Sequence, residues 1–334
     1  MCTWFTKILS TILSCSDTIR TRNLDEARKD LVRNKFDMLA PTARVCFGKD
    51  DAYLSTYEDE LKKSIEQVPD FTELFKNIVF KAQGLFEEEQ QETTAVPKVS
   101  HKICLIRRRN ESMSSRHVLS FTSDYVASLC AARFQAAKDE EILRLWNLFS
   151  RYGDARGMTG AVFEAHVHKL FRHEIAIRGE SMFRSKQGKP YAWFCPLDGH
   201  PLLKEARDQQ TFSTFNVEMP TGKIDTFMEG SDIVQVLPNT YYQPKKKQQV
   251  GIDSFFVHDG FLYLLQITGG DHHDIKDGLE PFVQKLNGIP TDRSKWRFVF
   301  VIPDELEWFE CPKPGISVGT LFTAGIDMSL GPEM

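Results

Sequence analysis

The stretch GIDSFFVHDGFLYLLQITGG, residues 251–270, decides the reading of this chain. Asp259-Gly260 is a strong two-residue hairpin signal, and an apolar run flanks it on each side. A two-residue turn pairs Val257 with Leu262, Phe255 with Leu264 and Asp253 with Gln266. Side chains alternate between faces, so these six share one face and Thr268 joins them. Asp253 and Gln266 then have Cβ atoms about 5 Å apart. A carboxylate beside such an apolar face is costly unless something pairs with it. A divalent cation is one such partner; a basic side chain or a backbone N–H is another.

Further along, DGLEPFVQKLNG (277–288) predicts a helix. Asp277 and Glu280 have capping-box spacing, Pro281 sits in the first turn and Gly288 follows the end. Leu279, Phe282, Val283 and Leu286 form its expected buried stripe. WRFVFVIP (296–303) is an apolar run stopped by Pro303, as expected of a strand buried on both faces. Upstream, AVFEAHVHKLF (161–171) predicts a helix with Thr159 as N-cap. Glu164 lies on one side of it with Val167, His168 and Phe171. His166 and His168 are two apart and make poor co-ligands. Short β-type runs punctuated by Pro and Gly fill 190–270. The order of elements predicts a mixed sheet flanked by helices.

The first part of the chain reads differently. Residues 17–92 carry helical periodicity. SHKICLIRRRN (100–110) has a strand-like centre, ESMSSRHVLSFTS (111–123) leads into a helix, and residues 124–150 form a strong helical pattern. RYGDARGMTG (151–160) breaks it with three glycines. The expected division is therefore a mainly helical domain, 1–145, and an α/β domain, 146–330.

Composition excludes several classes. The chain has 334 residues and a net charge of -4, so no global basic field marks a nucleic-acid partner. Seven widely spaced cysteines include no CxxC, which leaves a zinc cage unsupported and reduced thiols the plain reading. No run of eighteen apolar residues appears, so no membrane span is expected. Lys7 interrupts the mildly apolar start, which reads as a short helix rather than a secretory signal.

Glu164, Asp253 and Gln266 make a set of hard oxygen donors that suits Mg²⁺ or Mn²⁺ better than zinc. The bland readings stay open beside it. Glu164 is an ordinary helix carboxylate, Asp253 an acceptor for backbone N–H groups, and Gln266 with Thr268 a hydrogen-bonded pair in a sheet. GDHHDIKD (270–277) reads as a solvated turn before a metal loop. Lys245, Lys246, Lys247 and Lys276 are solvated cations or, read functionally, phosphate contacts.

Residues 241–303, and more loosely 156–171, resemble the C-terminal nuclease-like module of Crinkler and retrotransposon-hot-spot proteins, of the PD-(D/E)xK, restriction-endonuclease-like class. The resemblance implies that Glu164 is the helix acid, Asp253 the strand acid, and Gln266-Ile267-Thr268 the Glu-x-Lys position, all in catalytic roles. It implies a Mg²⁺-dependent nuclease acting on DNA, or a nuclease-derived binding module acting on host DNA or host protein in the nucleus. FDMLAPTARVCFG, SHKICLIRRRN and FTSDYVASLCAARF resemble segments that follow the ATPase core of those proteins, as a lid and linker. The chain has no GxxxxGK[ST], so no ATP site is expected. A purely structural remnant of a larger ATPase is the third class. Threonine at position 268 supplies no positive charge, which departs from the family pattern.

Overall fold

The structure is a computed structural model and describes residues 51–84, 100–108, 117–152, 155–173, 175–184, 193–196, 213–220, 223–227, 234–244, 251–276, 278–312 and 320–329. The expected helix at 24–39, Asp277 and the lysines at 245–247 lie outside them. The chain divides into two compact units, 1–133 with 152–158, and 134–151 with 159–334. The boundary is thus not a single cut near residue 146.

The first unit contains helices α1 (Asp51–Glu66), α2 (Phe71–Gly84) and α3 (Ser100–Ile103), strands β1 (Cys104–Arg108) and β2 (His117–Phe121), and most of α4 (Asp124–Gln135). The β1 and β2 strands pair antiparallel. His117–Phe121 forms β2 within the stretch expected to lead into a helix, and that helix, α4, follows at Asp124. Ser123 then caps α4, its Oγ accepting from Val126 N at 3.2 Å. Phe75 packs on Phe71 at 5.8 Å and edge-on to Phe121 at 6.3 Å. The helical pattern of 124–150 is two helices, since α5 (Asp139–Ser150) starts afresh after a turn.

The second unit is mixed α/β. It holds α5, most of α6 (Arg156–Leu170), β3 (Ala176–Ser181), β4 (Phe183–Arg184), β5 (Trp193–Pro196), β6 (Thr214–Glu218), β7 (Lys223–Phe227), β8 (Val234–Gln235) and β9 (Thr240–Pro244). It continues with β10 (Ser254–His258), β11 (Phe261–Ile267), α7 (Leu279–Val283), β12 (Leu286–Asn287), β13 (Trp296–Pro303), β14 (Trp308–Cys311) and β15 (Thr320–Ile326). Eight strands form the main sheet in the order β6-β3-β15-β13-β11-β10-β9-β7. Strands β11, β13 and β15 run parallel, and α7 lies in the crossover from β11 to β13.

The hairpin register is the one the turn predicts. Val257 pairs with Leu262 and Phe255 with Leu264. Asp259 (φ 48°) and Gly260 (φ 73°) both take the left-handed conformation that a two-residue turn of this kind requires. One face of the sheet buries Phe255, Leu262, Leu264, Phe298 and Phe300 with Leu279, Phe282 and Val283 of α7. Strand β13 is buried as expected, apart from half-buried Arg297.

Two helix expectations are corrected. Helix α7 ends at Val283, because Leu286 and Asn287 instead pair with Val234 and Gln235. Its N-cap is Gly278 with no side-chain cap, and the expected capping box rests on Asp277, which lies outside the described residues. Leu286 is nevertheless buried. Helix α6 begins at Arg156, inside the glycine-rich break, so Thr159 is a buried helical residue and not the N-cap. The chain after β11 passes close to this helix, since a Cβ on Gly269 would lie 3.4 Å from the Gly160 Cα.

Candidate metal centre

The ladder between β10 and β11 stops at Ser254–Leu265. Asp253 N donates to Leu265 O at 2.8 Å, so Asp253 and Ser254 both stand opposite Leu265. Two residues against one is a β-bulge, a device that re-aims a side chain at a strand end. The expected direct pairing of Asp253 with Gln266 is therefore replaced by side-chain contact. Asp253 Oδ2 accepts from Gln266 Nε2 at 2.5 Å and from Ile267 N at 2.7 Å. A carboxylate oxygen only accepts, so the amide nitrogen of Gln266 must face it and the carbonyl must face away. Gln266 is 6 % exposed, and its Oε1 is buried without a hydrogen-bond partner. Buried carbonyl groups of this kind are rare and call for a ligand, an ion or a water.

Thr268 continues the sheet through its N–H to Val301 O at 2.9 Å. Its Oγ1 accepts from Gly270 N at 3.2 Å, turning the chain out of the strand. It is 9 % exposed.

Glu164 arrives on α6, which packs on the sheet face that Tyr241 occupies. Tyr242 stacks on Phe255 at 4.8 Å, and Phe255 packs against Phe282 of α7. Tyr241 points the opposite way and meets Phe171 edge-on at 6.0 Å. Helix α6 is buried on almost every side and carries no single apolar stripe. Gly160, Glu164 and His168 share one row of that helix. Gly160 sits at the end of β11 and His168 Nδ1 lies 2.8 Å from Tyr241 Oη of β9. Glu164 lies one turn from each, toward the bulged start of β10. Its side chain keeps 19 % exposure, and Oε1 is 3.9 Å from His168 Nε2.

Tyr241 Oη lies 2.8 Å from Ser254 Oγ and 2.8 Å from His168 Nδ1, a buried polar chain from α6 to β10. Burial pushes the Tyr241 hydroxyl far up, and the charges of Asp253 and Glu164 add to it, while the Ser254 bond opposes. Both carboxylates thus act on one buried hydroxyl. His166 faces elsewhere: it is 2 % exposed and neither ring nitrogen has a partner.

Among the described residues no three His, Cys, Asp or Glu side chains gather to hold a metal ion. The Glu164, Asp253 and Gln266 set contains two of these and an amide. The orphaned Gln266 oxygen is a hard donor, and it comes beside the Asp253 carboxylate to hold a cation only if the amide turns over. Lys276 is exposed and makes no ion pair with a described residue; its stem lies against Gly251, where a Cβ would meet it at 2.9 Å. His272 bridges to Glu310, and His273 N donates to Glu310 O, so this part of the 270–277 loop is strand-like. The bulge was missed because no residue type announces it.

Compared with known proteins, the chain matches no family model, no curated protein and no solved structure. No helix among the described residues is long and apolar enough to cross a membrane.

Proposed function

We propose that the 134–151 and 159–334 unit is a nucleic-acid-directed module of the PD-(D/E)xK type, acting on DNA with Mg²⁺ or Mn²⁺ held by Asp253, Gln266 and Glu164. The observation that carries this reading is the buried Gln266 amide beside the Asp253 carboxylate: its Nε2 donates to Oδ2 while its Oε1 has no donor, so turning the amide over sets an oxygen beside the carboxylate for a cation. A bound Mg²⁺ polarises a phosphoryl oxygen and lowers the pKa of a bound water. Asp253 would supply the charge, held by Ile267 N–H. Gln266 adds a neutral oxygen, so the site carries less charge than one built on Glu. Thr268 supplies no cation to developing negative charge, and such a loss costs about a hundred- to a thousandfold in rate. Lys276 is an exposed cation placed beside the strand that leads to Asp253, suited to a backbone phosphate.

A second reading, a binding module without turnover on host DNA or protein, is supported by the same contacts. Asp253 Oδ2 already accepts two hydrogen bonds, and Thr268 Oγ1 serves a turn. Cleavage of supercoiled DNA separates the two. The enzyme reading predicts slow nicking by wild type in Mn²⁺, abolished by EDTA and by Asp253→Ala, and faster nicking by Thr268→Lys. No nicking by any of these proteins leaves the binding module. Action in the nucleus is part of the proposal and is read by localisation of a fluorescent fusion.

A further inference from the structure

Arg297 is the one charged residue in WRFVFVIP, and its surroundings are built. Its guanidinium carbon lies 3.9 Å from the ring centre of Phe261, 4.8 Å from Phe215, 5.3 Å from Tyr263 and 6.0 Å from Phe322. These rings come from β11, β6 and β15. Phe215 reaches the cluster by lying across Gly179 of β3, where a Cβ would stand 2.1 Å from the ring. It then packs edge-on to Tyr263 at 5.4 Å and Phe322 at 5.0 Å. Phe256 stacks behind Tyr263 at 4.6 Å.

Arg297 Nη1 donates to Tyr263 Oη at 2.7 Å. No carboxylate among the described residues pairs with the guanidinium, although Arg297 is half-buried. Ring faces account for where the flat group lies, contributing about 0.5–2 kcal/mol. They do not fill its in-plane N–H donors, and a partly desolvated cation without a counter-charge is costly. Those donors form a rigid fork that matches an oxyanion in two places at once.

We propose that Arg297 is a phosphate-binding site, with the aromatic rings as its wall and the in-plane edge of the guanidinium as its donor. The phosphate comes free or as the phosphate of a nucleic-acid strand. The site is separate from the candidate metal centre: Tyr263 points to the opposite face from Leu264 and Gln266, and stands about 10 Å along the strand from Gln266. It needs no metal and stands whether or not the chain cleaves DNA.

The test follows the Arg297 side-chain ¹⁵N signals of the full chain, in EDTA and at constant ionic strength. Inorganic phosphate, a 5′-phosphorylated dinucleotide, its unphosphorylated form and acetate are titrated in turn. Saturable shifts with phosphate at millimolar or lower concentration, weaker with acetate, are expected. A stronger response to the phosphorylated dinucleotide than to inorganic phosphate assigns the site to nucleic acid; the reverse assigns it to free phosphate. Arg297→Lys, which keeps the charge and loses the fork, should weaken binding at least about tenfold. Shifts that grow linearly without saturation, or equal affinity in a folded Arg297→Lys, overturn the proposal. The wild-type titration decides alone if that variant does not fold.

Discussion

The two ends of one hairpin obey different rules. At the turn end, Asp259 and Gly260 adopt the backbone the turn requires, and Val257, Phe255, Leu262 and Leu264 fill the core in strict alternation. At the open end, Asp253 leaves the ladder, its carboxylate bonds side chain and backbone of the partner strand, and Gln266 Oε1 is left buried without a donor. The regular end is explained by burial alone. The irregular end costs stability, and sites where local rules break without structural gain are where function is expected.

The largest effect should come from the regular end. Leu264 is fully buried, so Leu264→Ala should cost about 2–5 kcal/mol of unfolding free energy. Denaturant unfolding checks it, and a change no larger than that of a surface substitution would remove the contrast. At the open end, Asp253→Ala leaves Ile267 N–H and the Gln266 amide without their acceptor. A smaller cost of about 1–3 kcal/mol is expected. Asp253→Ala should at the same time leave salt-dependent DNA binding largely unchanged, as measured by fluorescence anisotropy.

Gln266→Glu sharpens the comparison in the other direction. It replaces the amide that holds Asp253 with a second carboxylate. Mn²⁺ affinity, measured by calorimetry, should rise about tenfold, or about 1.4 kcal/mol, while metal-free stability falls because two carboxylates then face each other. A variant that gains stability without metal and binds Mn²⁺ no better would count against the site.

The smallest effect is on pH. Burial is the main cause that holds His166 and His273 below the ordinary imidazole value. The unfolded chain therefore takes up these protons first, near pH 6.5, and binds more of them than the fold. Their contribution to stability is fully present above that value, declines as pH falls toward the folded values, and levels off below them. Urea midpoints across this window should drop on acidification, and His166→Leu should flatten part of the drop.

The regular half of this picture was legible in the sequence, and the reasons are specific. Asp-Gly between apolar runs fixes a register, and an octet apolar but for Arg297 fixes a central strand. The bulge was not legible, because an extra residue leaves no mark in composition. Strand β3 was missed because AIRGES buries Ile177, Gly179 and Ser181, of which only one is a large apolar residue. Helix α7 looked longer because Leu286 keeps the helical spacing while its backbone pairs with β8. The expected apolar stripe on the Glu164 side was not there to read, since α6 is enclosed nearly all round.

The central claim is that Asp253 and Gln266 together hold a divalent cation at the bulge. Mn²⁺ titration of the wild-type chain, followed by paramagnetic broadening of the Gln266 side-chain amide signal, tests it most directly. The account predicts selective broadening of that signal at low Mn²⁺, reversed by EDTA and absent in Asp253→Ala. Uniform weak broadening across the surface, with the Gln266 signal unaffected or behaving alike in Asp253→Ala, would contradict it.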